Sequence, residues 1–382
     1  MGLPRGSRRT RLLTGLLLAA PLVAAACGGG AAGGDGAAAE GGLTTVSTGT
    51  VSGSSSDAAL FVAMEKGYFE EQGIKVELQP FDSGARMVAP LGAGQLDVAS
   101  GGISAGLFNA VADGVKLRIV ADKAREVPPG FVSLVVRKEL VDSGKYRDFS
   151  DLRGLTVAIP AQGVAPEPQL QGLLRAGGLT MADVRTEEIG FANQIAALAN
   201  GSIDAAISIE PSTTSAVESG AAVRVARTCD LLSGYQTSGI LYSDTFAEDK
   251  DLATKYMTAY LKGVRYYNDA LSDGKLEGPK GDEVAQTLVK HTQVDDPELY
   301  KKIALHGVDP NGESDLPAIR GMLTFFSGRG VLDSDVDVNS VMNEAFDSTF
   351  LDAATKKLGP YQGPDDYKAE CPTKASSGSG NG

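Results

Sequence analysis

The stretch "LGAGQLDVAS", Leu91 to Ser100, returns in altered form as "LANGSIDAAIS", Leu198 to Ser208. Each copy sets a glycine three residues after a leucine, then an aliphatic residue, an aspartate and a short apolar run ending in serine. Physically this is a corner between a helix and a strand. The leucine ends the helix on its buried face, the glycine caps it, and the aliphatic residue begins the strand. The small residues that follow, Val98 and Ala99 or Ala205 and Ala206, suit a strand covered on both faces. Asp97 and Asp204 stand at the strand start, where a carboxylate accepts hydrogen bonds from turn amides. They read as scaffold rather than as a catalytic pair, and their doubling predicts two similar lobes.

The flanking sequence supports this. Before the first corner, "LTTVSTGTV" and "IKVELQ" read as strands around the helix "DAALFVAMEKGYFEEQG", which Ser55, Ser56 or Asp57 can cap and Gly73 can end. After it come the helix "ISAGLFNAVADG" and the strand "KLRIVAD". The pattern restarts at Asp151: "LTVAIP", "VRTEEIG", "IDAAISI" and "VRVAR" are strands separated by helices. Such alternation predicts parallel sheets with helices on their faces, an α/β class. "SGILYS" is one more strand, and five later segments with helical apolar spacing are expected to pack back on the first lobe. The expected division is residues 43–135 for lobe one, 136–231 for lobe two, 232–368 for a mainly helical return to lobe one, and 369–382 for a C-terminal tail.

At 382 residues and 42% hydrophobic content, the chain can bury two moderate cores. A net charge of -13 argues against nucleic acid as a partner. Residues 1–26 read as an export signal: a basic "MGLPRGSRRTR", an apolar "LLTGLLLAAPLVAAA", then small residues before Cys27. That end resembles the lipobox of bacterial lipoproteins, which implies lipidation of Cys27, and "SRRTRLL" leaves general and twin-arginine export both open. Residues 27–42, Gly- and Ala-rich, read as a tether that lets a domain stand off the outer face of the cytoplasmic membrane. Outside the cytosol the two remaining cysteines, Cys229 and Cys371, are candidates for a disulfide.

In open parallel sheets ligands bind beyond the carboxyl ends of the strands. Two lobes facing across a hinge turn those edges into two walls of one cleft. The candidate contacts on lobe one are Ser54, Ser55, Ser83, Gly84, Ser100, Gly101 and Gly102. On lobe two they are Gln162, Gly163, Asn193 and Glu210. Hydroxyl and amide groups can orient a small polar ligand and glycine lets backbone approach it, although each serine also suits an ordinary helix cap. Glu210 on the wall favours an amine or a ring N–H donor, whereas Lys123 and Arg125, if they line the cleft, favour an anion.

The chain resembles the substrate-binding proteins of bacterial ABC importers for nitrate, aliphatic sulfonates, taurine and thiamine-pyrimidine precursors. The resemblance rests on "FVAMEKGYFEEQGIKVEL" (Phe61 to Leu78), with Glu65, Gly67, Tyr68, Phe69 and Gly73 in register, and on "GAGQLDVAS", "LRGLTVAIP" and "NGSIDAAISIEP". It implies the two-lobed type II periplasmic-binding-protein fold, a monomer that closes on its ligand, and a membrane permease that takes the closed form. It implies no enzyme activity and no cofactor. The chain has no Trp to serve as a binding-site aromatic.

Rival readings find less support. "GISAG", Gly102 to Gly106, fits the nucleophile elbow of a serine hydrolase through Ser104. Its histidine would have to be His291 or His306, both in or near amphipathic helices. A thiamine-pyrimidine synthase shares the fold class but needs a cysteine cluster and an active-site histidine not visible here. "DSDVDVNSVMNE", Asp333 to Glu344, mimics a calcium loop with Val338 where glycine is required, so a helix cap is favoured and no metal is expected. A lipoprotein that binds ligand for a sensor is a further alternative.

Overall fold

Ten strands build two sheets of five in this computed structural model, which describes Gly2 and residues 42–231, 236–364 and 366–371. The expected export signal apart from Gly2, Cys27, nearly all of the tether and most of the tail lie outside the described residues. The strands are β1 (Thr44–Val51), β2 (Ile74–Phe81), β3 (Val98–Gly102), β4 (Leu117–Arg125) and β5 (Val132–Arg137). They continue with β6 (Thr156–Ile159), β7 (Arg185–Glu188), β8 (Ala205–Ile209), β9 (Ala222–Arg227) and β10 (Gln236–Ser243). The sheet orders are β2-β1-β3-β10-β4 and β7-β6-β8-β5-β9, so the two lobes share one plan.

Two details depart from the sequence reading. One strand in each sheet is antiparallel: β10 between β3 and β4, and β5 between β8 and β9. In both cases it is the first strand after the chain crosses between lobes. Because β5 pairs within the second sheet, the first crossing lies between Arg125 and Val132, ahead of the expected boundary after residue 135. "VSLVVR" is buried along nearly its whole length, so it lacks the alternation that marks a half-buried strand.

Lobe one carries α1 (Ala58–Glu65), α2 (Val88–Gly92) and α3 (Ala105–Ala112); lobe two carries α4 (Lys138–Asp142), α5 (Pro166–Ala176), α6 (Phe191–Asn200) and α7 (Ser212–Glu218). The return to lobe one brings α8 (Asp244–Glu248), α9 (Lys250–Asn268), α10 (Gly281–His291) and α11 (Pro297–Lys302). It ends with α12 (Leu316–Gly328), α13 (Val338–Ala345) and α14 (Thr349–Leu358). Helix α1 is apolar on nearly every face because it is sandwiched between the sheet and α9. The helices cross at Gly263, where a Cβ would lie 2.3 Å from the Ala59 carbonyl oxygen. Helices α3, α12 and α13 cover the other face of the same sheet. Among the described residues no helix is long and apolar enough to cross a membrane.

The doubled corner is built alike in both lobes. Gly94 and Gly201 adopt φ of 67° and 76°, the left-handed conformation that a side chain disfavours. The Asp97 N–H donates to the Ser47 carbonyl (3.2 Å), and the Ser47 N–H returns a bond to the Asp97 carboxylate (2.8 Å). In lobe two the Asp204 N–H donates to the Thr156 carbonyl (2.9 Å), and the Thr156 N–H returns a bond to the Asp204 carboxylate (3.0 Å). The carbonyl of each aspartate accepts from the antiparallel neighbour, Ser243 N–H or Arg137 N–H. Carboxylate and backbone of each aspartate together thus fasten three strands, and the carboxylate accepts a strand amide rather than a turn amide.

The crossings are tied to each other. Glu126, fully buried in the first crossing, accepts from the Thr228 hydroxyl of the second (2.9 Å) and from the Val132 N–H (3.2 Å). Its other carboxyl oxygen has no partner. Cys229 is bonded to Cys371, with Cα atoms 5.0 Å apart, which joins the second crossing to the end of the described chain.

Two outcomes follow for stability. Asp97→Ala and Asp204→Ala should each cost about 1–3 kcal/mol by denaturant unfolding, because each leaves a strand amide without its carboxylate partner, while the folded variants keep ligand affinity. Burial raises the Glu126 pKa to about 8. The folded form therefore holds a proton that the unfolded form releases above its ordinary carboxylate pKa, so stability drains as pH rises from about 4.5 to about 8. Glu126→Gln keeps an acceptor for Thr228 but cannot ionise. The variant should gain on the wild type steadily across that window, and a pH-independent difference in unfolding free energy would show that Glu126 is ionised in the fold.

Candidate functional site

The corners fix the strand starts at the outer edges, so the carboxyl ends of β1, β3, β6 and β8 point toward the facing lobe. The loops there meet directly. Ala105 N–H, at the start of α3, donates to the Gly163 carbonyl (2.8 Å), and Ser104 and Val164 form an antiparallel bridge. On the other side of the cleft the Ser55 N–H and hydroxyl both donate to the Glu210 carbonyl (3.2 and 3.1 Å). The Ser212 hydroxyl donates to the Gly53 carbonyl (2.7 Å). Arg329, after α12, reaches the buried Glu167 of α5 (3.3 Å), whose carboxylate also accepts the Gly163 N–H (2.8 Å). These contacts hold the lobes closed.

Between them lies a pocket. Lobe one contributes Val51, Ser54, Ser56, Ser83, Gly84 and Gly102, with Thr237 and Ser238 from β10. Lobe two contributes Phe131, Val132, Pro160, Val164, Ala165, Pro166, Gln169, Phe191 and Ile209. Among the described residues none that lines it is charged. The space left is about 50 Å³, room for a few water-sized molecules, so a ring-sized ligand requires the walls to stand farther apart. The Ser83 hydroxyl and both polar atoms of Gln169 are buried without a hydrogen-bond partner among the described residues.

Of the candidates named from sequence, Ser54, Ser83, Gly84 and Gly102 line this pocket. Ser54 is internally engaged: its hydroxyl donates to Ser56 Oγ (2.7 Å) and accepts the Ser56 N–H (2.9 Å). Gly84 is required by packing, since a Cβ there would stand 2.0 Å from the Gly102 nitrogen. Ser55 and Gly163 lie in the contacts between lobes instead. Ser100 and Gly101 lie behind the wall: the Ser100 hydroxyl donates to Asp57 and its carbonyl accepts from Lys123 (2.8 Å). Gln162 and Asn193 are exposed and do not line the pocket.

Glu210 and the two cations are placed otherwise than expected. Glu210, buried beside the cis Glu210–Pro211 bond, pairs with Arg224 and accepts from the Thr214 N–H and hydroxyl (3.1 and 3.0 Å). Burial raises its pKa against the pull of Arg224. Lys123 pairs with Asp57 (2.8 Å), and burial draws its pKa down against that carboxylate. Arg125 pairs with Asp122 (2.7 Å). All three are part of β4 or of the strand-to-helix turn after β8, and none lines the pocket, so neither sign argument applies to a ligand there.

The hydrolase constellation is not assembled. The Ser104 hydroxyl caps α3 by accepting the Leu107 N–H (3.2 Å). His306 is buried against Tyr267 and Phe131, its pKa pushed down to about 3 by burial. His291 stacks on Phe61 and meets Glu65 (3.0 Å). In the calcium-loop lookalike Asp337 caps α13 through the Ser340 N–H (2.7 Å).

Sequence reasoning missed Phe131, Gln169, Phe191, Thr237 and Ser238. Phe191 opens α6 directly after β7, so the strand-end rule that named Asn193 misplaced the contact by two residues. Thr237 and Ser238 escaped because β10 was not expected to insert beside β3.

The NMT1/THI5-like family model matches residues 55–270. A putative binding protein of Brucella abortus is 30% identical over 145 residues, 38% of this chain and 41% of that protein. The match thus spans about two-fifths of that curated relative. A 4-amino-5-hydroxymethyl-2-methylpyrimidine phosphate synthase of Aspergillus parasiticus is 28% identical over 159 residues, 40% of this chain and 42% of that one. The periplasmic nitrate-binding protein NrtA of Synechocystis PCC 6803 superimposes with a TM-score of 0.69 at 17% identity, covering 87% of this chain and 91% of that one. The chain belongs to the NMT1/THI5-like family and has the two-lobed fold of periplasmic binding proteins.

Proposed function

We propose that this protein is an extracytoplasmic solute-binding lipoprotein, anchored through Cys27, that captures a small uncharged molecule between its lobes and delivers it to an ABC-type importer. The observation that carries the reading is the pocket itself: two lobes of one plan meet over it, and no charged side chain lines it. A sulfonate or nitrate would leave water there without a cation to meet it, and an amine would find no carboxylate, each at a cost of several kcal/mol. An uncharged molecule instead gains from the Phe131, Phe191 and Ile209 surfaces. Family membership and the export-like first 42 residues support the compartment and the transport role.

A thermal-shift screen tests this. An uncharged ligand present at a hundred times its dissociation constant should add about 2.7 kcal/mol to the native state. Phe191→Ala should weaken that response about tenfold or more in ligand concentration, as expected for loss of a buried aromatic surface. Stabilisation by nitrate or an alkanesulfonate, with none by uncharged compounds, would overturn the reading.

A further inference from the structure

Buried glutamines in this fold normally have work to do within it. Gln194 donates its amide to the Ile189 and Ile207 carbonyls (3.1 and 3.2 Å), although its own carbonyl oxygen has no partner among the described residues. Gln236 donates to the Ser238 carbonyl (3.0 Å) and accepts the Asp315 N–H (2.6 Å). Glu167, two residues before Gln169 on α5, is satisfied by Gly163 and Arg329. Gln169 differs from all of these. It is fully buried, it lines the pocket, and among the described residues neither its carbonyl oxygen nor its amide nitrogen has a partner. From lobe one, the Ser83 hydroxyl is unpartnered in the same pocket.

A carboxamide left so is a standing penalty for the fold, because both a donor and an acceptor have given up water for nothing. The group that cancels it presents an acceptor beside a donor, in the complementary order. A carboxylate ligand offers acceptors only, and an ammonium offers donors only, so either would satisfy half of the carboxamide. A ligand edge of the amide kind satisfies both halves and brings no charge into an uncharged pocket. Phe131 and Phe191 supply apolar surface for the faces of a flat ring once the walls stand farther apart.

We propose that Gln169 reads a paired donor–acceptor edge, that of a lactam or carboxamide, on an uncharged flat-ring ligand, while Ser83 holds a second polar atom from the facing lobe. This rests on the solute-binding reading and names its ligand class. Sites built around such hydrogen bonds reject analogues that lack one partner far more strongly than apolar pockets reject a methyl group.

The test uses matched pairs on the full folded protein: 2-pyridone, uracil and nicotinamide, each against its N-methylated amide counterpart, with benzoate and benzylamine as charged controls. At least one parent compound should bind tenfold or more tightly than its N-methylated partner by calorimetry, and the charged controls should bind more weakly than it. Gln169→Leu should bring the pair within about threefold and, in ligand-free protein, raise the melting temperature, because the unpaired carboxamide is gone. A lowered melting temperature would show that the fold itself uses Gln169 and would overturn the proposal. Equal binding of parent and N-methylated compounds to the wild type would overturn it too, while leaving solute binding intact. So would a screen whose stabilising ligands all lack the edge. A protein that no solute stabilises would instead refute the solute-binding reading on which the proposal rests.

Discussion

One carboxylate at the start of one strand organises each lobe. Asp97 exchanges backbone and side-chain hydrogen bonds with β1 and Asp204 does so with β6, and each gives its carbonyl to the antiparallel strand on the other side. Three strands are thereby held in register at the edge remote from the cleft. Register in a sheet determines which residues reach its far edge, so these corners decide that Ser83, Gly102 and Phe191 arrive facing one another. The glycines before them are needed because the chain must turn through a left-handed conformation within three residues of a helix. The aspartates act on the ligand only through that placement.

The closed arrangement draws on contacts that are separate from the pocket. Backbone bonds run from Ala105 to Gly163 and from Ser55 to Glu210, a hydroxyl bond from Ser212 to Gly53, and an ion pair from Arg329 to Glu167. Ion pairs of this half-exposed kind contribute little each, and the hydrogen bonds replace ones to water. The lobes therefore meet with modest net gain, as the proposed capture and release requires. A ligand shifts the balance by binding the closed form more tightly than the open one. The charges near the cleft, Lys123 with Asp57 and Glu210 with Arg224, are spent on holding the walls and leave the pocket neutral.

Much of this was legible in the sequence because helix and strand periods, capping residues and the repeated corner all act locally. The two lobes, their helices and the strand-end location of the cleft follow from them. What escaped depended on partners distant in sequence. Strand β5 reads as a plain apolar run until β8 and β9 cover its edges, and β10 reads as a strand without revealing that it inserts beside β3. Glu210 stands at a strand end as expected, but Arg224, fourteen residues on, turns its carboxylate to structural use. Gln169 offers no local mark, since a glutamine in a helix is ordinary and only its burial at the pocket leaves it unpaired among the described residues.

The central claim is that two lobes of one plan close on an uncharged solute. It is tested most directly by the distance between nitroxide labels at Lys75 and Arg185, both exposed and both near the outer starts of edge strands, β2 and β7. Pulsed electron resonance should find a broad or two-component distance distribution without ligand. It should become a single narrow component on adding an uncharged ligand that raises the melting temperature. One narrow distance, unchanged by such a ligand, would contradict closure as the mechanism of capture.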